Sequence, residues 1–443
     1  MSRVTARDRI YEAPGLPWIV DPGRWIILGT VFIVVAGNAI IPLWSGLIPT
    51  MLLVPLAILM RHGESLGSII IDRAALPWLV AIGVLASLGF LSALTNGGPD
   101  LNWATWLSSY VSPIVLYIGV RQYCDDTRFV RQVIVVILVA ALLPLAYGLL
   151  QYYREWGIPT GVELLLSRYY IERMETYMTA TFGNTGNTAA YLALVLPVAM
   201  SACLTRYTGS ALRWLAFTVV LVALLNAVIV QSRTLLWILL LGVPGILWFY
   251  RVRLVGITVA ASVAAGLFVL PFLEALDELA AMSTSVFGGA EVDNSVSERV
   301  EAMRFALRTM FDFPALGVGP GNTMLVNPHT SAHQFWLQQG SEIGIGGLVA
   351  SFVMTAAVLL RALVTWWRRS GEEANDLTFM CISGAALFML YGVVANMALA
   401  ITFVNTWIGL LAVLLALGEA CNSMNCSSNR ERSLRDGNSG NEV

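Results

Sequence analysis

One long polar segment interrupts an otherwise apolar chain and carries two of its three histidines. This segment, residues 274–341, contains His329 and His333. Arg304 and Arg308 precede them at a spacing that puts both guanidinium groups on one face of a helix. A guanidinium donates paired hydrogen bonds to a phosphate, and a neutral imidazole accepts a proton near neutral pH. We therefore predict that the segment binds an anion and moves a proton.

The elements that position these side chains follow from the same segment. Ser295 and Glu298 have the spacing of a helix N-cap and its reciprocal partner, and apolar residues then recur at helical spacing up to Pro314. The run Gly317-Val-Gly-Pro-Gly321 predicts a turn. Because His333 leads directly into the next apolar run, we expect it at the membrane edge and prefer it to His329 as a general base.

Composition indicates the fold class, an all-α polytopic membrane protein. Hydrophobic residues make up 57% of the 443 residues and charged residues 12%, whereas a soluble domain carries about twice that charged fraction. About twelve apolar spans are predicted, and the short second one is also compatible with a re-entrant segment. They lie near 25–43, 46–60, 75–94, 104–120, 130–152, 187–204, 212–230, 234–250, 254–273, 342–363, 378–397 and 402–420.

The distribution of arginine predicts the orientation. All 26 basic residues are arginine, and 19 of them fall in the two terminal segments and the alternate loops that share their side. The positive-inside rule therefore places both termini in the cytoplasm. The predicted organisation lists a cytoplasmic segment 1–24, nine spans over 25–273 with an outer loop at 153–186, the outer loop 274–341, three spans over 342–420 and a disordered tail at 421–443.

Seven arginines remain on the outer side, where membrane insertion disfavours them, so we expect an anionic partner there. About half of them are expected to be structural, since exposed ion pairs contribute little. Arg233 differs from the others because it sits in a break of almost no length between two apolar spans, a depth at which a charge usually faces a cavity or a partner. The seven are Arg154, Arg168, Arg173, Arg233, Arg299, Arg304 and Arg308.

The sequence lacks the motifs of several common nucleotide-binding and metal-binding sites. No phosphate-binding Walker loop or dinucleotide fingerprint occurs, and the five cysteines have no zinc-ligand spacing. We expect no metal, no cofactor and no nucleic acid partner. The free energy for a reaction at the outer face must then come from the bond that breaks in a donor molecule. A lipid-linked diphosphate sugar is a donor of this kind. Arginines would stabilise the departing diphosphate, and a histidine would deprotonate an acceptor hydroxyl.

An ordered set of short motifs resembles the O-antigen ligase and O-antigen polymerase superfamily. The resemblance covers residues 180 to 350. The motifs are Thr181-Phe-Gly-Asn-Thr-Gly-Asn-Thr-Ala-Ala-Tyr-Leu192, Gln231-Ser-Arg233, Ser297-Glu-Arg299, Pro314-Ala-Leu-Gly-Val-Gly-Pro-Gly-Asn322, His333-Gln-Phe-Trp-Leu337 and Glu342-Ile-Gly-Ile-Gly-Gly347.

The resemblance implies a metal-independent inverting transferase of the bacterial inner membrane, GT-C-like in fold, with a periplasmic active site. Its donor would be a glycan on undecaprenyl diphosphate, and its acceptor the lipid A core or another glycan. His333 would activate the acceptor, and Arg233 with other outer arginines would hold the diphosphate. The residues assigned to diphosphate binding are Arg168, Arg173, Arg233, Arg299, Arg304 and Arg308; supporting roles are assigned to Asn184, Asn187, Gly319, Gly321, His329 and Glu342.

The sequence leaves four functions open. A ligase passes the glycan to lipid A core, whereas a polymerase passes it to another lipid-linked repeat, and protein-glycosylating relatives also exist. We favour the ligase because the long histidine-bearing outer loop comes late in the chain. Gln334, where the family commonly has Asn or Ser after the histidine, leaves the branch open. A lipid-linked sugar transporter is the alternative outside enzymes, but the apolar spans hold almost no charges that would line a path.

Overall fold

A computed structural model describes residues 21–36, 47–62, 71–96, 101–153, 185–230, 232–252, 294–323, 334–368, 372–394 and 408–424. The described residues form helices joined by short turns and contain no strand. The histidine-bearing residues 324–333, the outer loop 154–184 and the predicted ninth span at 254–273 lie outside the described residues.

The described helices are numbered in chain order. They are α1 (Pro22–Ala36), α2 (Leu47–His62), α3 (Leu76–Thr95), α4 (Leu101–Trp106), α5 (Ser112–Tyr123), α6 (Thr127–Tyr153), α7 (Thr185–Leu204), α8 (Ser210–Val230), α9 (Arg233–Phe249), α10 (Asn294–Asp312), α11 (Phe335–Ile343), α12 (Ile345–Trp367), α13 (Glu373–Val394) and α14 (Ile408–Met424). A 3₁₀ turn, Arg73–Ala75, precedes α3, and a π turn, Leu107–Val111, joins α4 to α5.

Six of the described helices are long and apolar enough to cross a membrane. They are α3 with its preceding turn, α6, α7, α8, α12 and α13, and α1, α2, α9 and α14 are shorter apolar helices. The protein is therefore a polytopic helical membrane protein. Each of these helices lies on one of the twelve predicted spans, and within the described ranges six of them meet the length and composition needed to cross a membrane. The span predicted from residue 342 begins instead at Ile345, after a break at Gly344.

The centre of the bundle is formed by α7 and α13, which pack against each other and are the most buried of the six long helices. α8 and α9 pack on α7, while α12 bridges α13 and α3. The outer helices expose apolar side chains such as Leu221 on α8 and Val349 on α12. In a bilayer, exposed apolar residues on the perimeter of a bundle face the lipid.

At one end of the bundle, arginines pair with acids that lie far away in sequence. Arg24 and Arg61 both bind Asp125, at 2.8 and 3.0 Å. Further ion pairs join Arg121 to Asp72, Arg131 to Glu373 and Arg361 to Glu419. We call this the arginine end; it gathers residues that the positive-inside rule assigns to the cytoplasm. The opposite end is called the loop end.

Candidate functional site

The described part of the predicted 274–341 loop packs against the loop end of α3. α3 starts beside Asp72 at the arginine end, so Ser92 and Asn96, in and after its last turn, mark the loop end. The Ser92 hydroxyl lies 2.5 Å from the carbonyl oxygen of Leu316 and 3.0 Å from that of Glu342. The Asn96 side-chain amide donates to the Gly317 carbonyl at 3.3 Å. α3 therefore anchors two chain segments that flank the predicted histidines.

The glycine turn is locked to the end of α11 by backbone hydrogen bonds. The N–H groups of Val318 and Gly319 donate to the carbonyls of Ser341 and Glu342, each at 3.0 Å. Gly317, Gly319 and Gly321 all have positive φ, of 62°, 105° and 79°. A side chain at Gly317 would place its Cβ 2.5 Å from the Ser341 carbonyl oxygen, so this position requires glycine.

Buried polar side chains converge beneath this turn. We call Tyr110, Thr323, Gln338, Gln339, Ser341 and Glu342 the polar cluster. Gln338 donates to Oε1 of Glu342 at 2.5 Å, and the Thr323 and Ser341 hydroxyls lie 3.0 Å apart. The Tyr110 hydroxyl, held in the π turn, donates to Oε1 of Gln339 at 2.7 Å. π turns occur frequently at functional sites, and this one links α5 to the cluster.

Glu342 is the only carboxylate in the polar cluster. Burial raises its pKa from 4.5 to about 7, while the Gly321 N–H, Gln338 and Thr323 favour the ionised form. Its Oε2 atom is buried and makes no hydrogen bond of normal geometry with the described residues. A carboxyl group of this kind changes its protonation state near neutral pH.

α10 confirms the helix predicted after the acidic start of the loop. It begins at Asn294, one residue before the predicted cap, and ends at Asp312. Ala302, Ala306 and Met310 are buried, and Met310 packs against Gly340 of α11. Leu307 and Phe311 belong to the apolar residues that recur at helical spacing, but they are 38% and 69% exposed. The buried face is therefore narrower than the sequence pattern predicts.

The exposed side of α10 combines charge with apolar surface. Arg304 and Arg308 are exposed and share one face, as their spacing predicts. Leu307 and Phe311 lie on the neighbouring part of the same exposed side, at 38% and 69% exposure. Two cations beside an aromatic and an aliphatic side chain suit an amphiphile that carries phosphate.

Arg233 is the first residue of α9 and lies at the loop end. The helix begins after Ser232, whose hydroxyl accepts a hydrogen bond from the Leu235 N–H at 3.3 Å. At the other end of α9, the Tyr250 hydroxyl donates to the Asp376 carbonyl, beside the first turn of α13 at the arginine end. The α9 N-terminus adds a partial positive charge where this arginine starts the helix.

The structure brings together some predicted site residues and not others. Gly319, Gly321 and Glu342 meet at the glycine turn, Arg304 and Arg308 are on the neighbouring α10, and Arg299 is in the first turns of that helix. Asn187 is buried in the first turn of α7. The residues outside the described ranges are Arg168, Arg173, Asn184, His329 and His333.

Sequence reasoning missed Ser92, Asn96, Tyr110, Gln338 and Gln339. Ser92, Asn96 and Tyr110 lie within or just after a predicted apolar span, and Gln338 and Gln339 lie just before one. A polar residue at such a position is the signal that the sequence offered. A polar side chain at such a position needs a buried hydrogen-bond partner, and the partner is not visible from the sequence.

Neither a metal site nor a known relative accompanies the side chains that the structure describes. Across the described ranges, no group of three or more His, Cys, Asp or Glu side chains is arranged to hold a metal ion. A scan against protein-family models and a search of curated proteins both return no match.

Proposed function

We propose that the protein is an integral-membrane glycosyltransferase that moves a glycan from undecaprenyl diphosphate to an acceptor hydroxyl at the periplasmic face of the inner membrane. An O-antigen ligase acting on lipid A core is the favoured form. One observation carries the proposal. The glycine turn, the exposed arginines of α10 and the start of α9 at Arg233 all lie at the loop end, opposite the arginine end.

In the proposed reaction, the acceptor hydroxyl attacks the anomeric carbon of the sugar. A carbon–oxygen bond forms to the acceptor as the sugar–phosphate bond breaks, and the electron pair leaves with the diphosphate. His333 takes the acceptor proton. Arg233 and the α10 arginines bind the diphosphate and stabilise its added charge, a role for which the planar guanidinium fork is suited. Attack opposite the leaving group inverts the anomeric configuration.

The polar cluster supports this role by fixing the chain on both sides of the histidine segment. Residues 324–333 begin after Thr323 and end before Gln334, and the Thr323 and Ser341 hydroxyls are 3.0 Å apart. α11, which follows His333 by two residues, is buried through Phe335, Gln338 and Gln339. A rigid frame of this kind restricts where a short intervening segment can place a catalytic base.

The test is a transfer assay with purified full-length protein in proteoliposomes and a lipid-linked glycan. Two acceptors are supplied separately, lipid A core and a second lipid-linked repeat. Extension of lipid A core is expected. Extension of the lipid-linked repeat alone would show that the protein is a polymerase and not a ligase. Movement of the donor across the bilayer without glycan transfer would show that it is a transporter.

The histidine variants sharpen this assay. His333→Ala is expected to abolish transfer while the donor remains bound. His62→Ala is the matched control, because His62 lies at the arginine end, where its Nε2 is 3.1 Å from the Gln122 side-chain oxygen. Full activity in His333→Ala would contradict the assignment of the base.

A further inference from the structure

A groove between α1 and α6 opens at the arginine end, away from the proposed transferase site. Its volume is about 360 Å³. Arg24, Arg128 and Arg131 line it together with the apolar side chains of Trp25, Leu28 and Val135, and no acidic residue is among its lining residues. A volume of this size accommodates a small phosphorylated headgroup.

The three arginines differ in how their charge is neutralised. Arg24 is held by Asp125 and Asp126, at 2.8 and 3.3 Å, and lies over the Phe129 ring at 5.0 Å. Arg131 pairs with Glu373. Arg128 is exposed, and no acidic group of the described residues lies within ion-pair distance of it. One guanidinium at the groove is therefore available for an anion.

The apolar side of the groove continues along the outer surface of α6. Val135, Val139 and Leu143 are spaced by four residues and are 36%, 42% and 41% exposed. They form a stripe that runs from the groove toward the middle of the helix. Trp25, 54% exposed at the rim, has the position of an interfacial tryptophan. The stripe offers a path for an acyl chain, whereas a soluble phosphate would leave it uncovered.

We propose that this groove binds an anionic phospholipid, with the phosphodiester at Arg128 and an acyl chain along Val135, Val139 and Leu143. The inference is independent of the transferase proposal. A basic pocket between membrane helices is a known kind of phospholipid headgroup site. Arg24 and Arg131 lie beside the phosphodiester but keep their carboxylate partners, so binding needs no ion pair to break.

The test uses delipidated full-length protein in detergent, given an equimolar mixture of phosphatidylglycerol and phosphatidylcholine and examined by native mass spectrometry. The wild type is expected to retain phosphatidylglycerol preferentially. Arg128→Gln is expected to lower that retention about fivefold, the effect of one arginine near an anionic headgroup. Arg206→Gln is the matched control, an exposed arginine at the same end that does not line the groove.

Two further arms identify the source of the phosphate. Val135→Trp fills the apolar side and leaves all three arginines, so it is expected to reduce lipid retention as well. Glycerol 3-phosphate at the same concentration is expected not to displace the lipid. Displacement by glycerol 3-phosphate would assign the site to a soluble phosphate. Equal losses in Arg128→Gln and Arg206→Gln, unchanged retention in Arg128→Gln, or no preference between the two lipids would each overturn the proposal. Size-exclusion elution and melting temperature confirm that each variant is folded.

Discussion

Gln338 donates a hydrogen bond of 2.5 Å to Oε1 of Glu342, one turn later in α11, while Oε2 of the same carboxylate has no hydrogen-bond partner among the described residues. The pair lies under the glycine turn that frames the histidine segment. The protonation state of one buried carboxyl therefore affects how stable this frame is.

Stability should fall as pH rises through the titration range of Glu342. In the unfolded chain the carboxyl ionises near pH 4.5, but burial raises its folded-state pKa to about 7. The folded state holds more protons between these values, so the free energy of unfolding drops by about 3 kcal/mol from pH 4.5 to above pH 7. Glu342→Gln should remove this decline, as measured by thermal unfolding in detergent from pH 4 to 8.

The matched control for that experiment is Glu301→Gln, which removes an exposed glutamate from α10. It should keep the pH dependence of the wild type. An unchanged decline in Glu342→Gln would mean that another group is responsible.

Gly317→Ala should destabilise the glycine turn by about 2 kcal/mol or more. The residue has φ +62°, which disfavours any side chain, and the new Cβ would approach the Ser341 carbonyl oxygen to 2.5 Å. Gly83→Ala in α3 is the control, since no atom lies within 4 Å of the position that its added Cβ would take, and alanine favours a helix. Melting temperatures of the two variants measure the difference; equal values would show that the turn adapts.

Removing one partner of the Arg361–Glu419 pair should cost more than removing both. The guanidinium makes two hydrogen bonds to the carboxylate, at 2.7 and 3.0 Å, and both side chains are largely buried. Arg361→Leu leaves an unpaired buried charge and should lose about 3–5 kcal/mol, whereas Arg361→Leu with Glu419→Leu should recover most of it. Chemical denaturation in detergent measures each variant.

Arg368→Gln serves as the control at the end of the same helix, because Arg368 is exposed and its partner, Asn422, is neutral. If the double variant is as unstable as Arg361→Leu, the instability of the single variant does not come from an unpaired Glu419 carboxylate.

Arg233→Lys should lower transfer about tenfold or more under the proposed mechanism. Lysine keeps the charge but loses the bidentate contact to a phosphate, and each 1.4 kcal/mol of lost stabilisation is a factor of about ten. Arg206→Lys at the arginine end should retain full activity. Wild-type transfer by Arg233→Lys would leave that arginine as a membrane-surface anchor.

A chelator should leave the proposed transfer intact, since arginines rather than a divalent ion would stabilise the diphosphate. The measurement is the initial rate in excess EDTA against the untreated rate. Inhibition that added Mg²⁺ reverses would contradict this assignment.

The orientation is tested by cysteine labelling in spheroplasts, in a background whose own cysteines are replaced. Asp312→Cys, at the end of α10, should react with a membrane-impermeant thiol reagent, because the loop end is predicted to be periplasmic. Gly209→Cys, exposed before α8 at the arginine end, should react only after lysis. The reverse pattern would invert the predicted topology.

Most helix positions were predictable because each crossing needs a long apolar run. The predicted span 234–250 agrees with α9 within a residue, and the amphipathic pattern after Ser295 located α10. The run from residue 342 concealed the break between α11 and α12, however. That break lies at Gly344, which has a φ of +83°. A Cβ at this position would lie 2.5 Å from the carbonyl oxygen of Pro314, a contact between distant segments that hydropathy does not reveal.

The polar cluster was less accessible from the sequence than the helices. Resemblance points to Glu342, but the contacts around it join residues that are distant in the chain, such as Ser92 with the Glu342 carbonyl and Tyr110 with Gln339. Hydrogen bonds between residues more than 200 positions apart depend on how the helices pack against one another. The hydropathy pattern contains no information on that packing.

The ion pairs at the arginine end also bear on the order of synthesis. Asp72 and Arg121 are separated by 49 residues, so both leave the ribosome early, whereas Arg131 precedes its partner Glu373 by 242 residues. Arg131 therefore has no Glu373 carboxylate to bind until α13 has been made. The ion pair between α6 and α13 can form only after most of the chain has been synthesised.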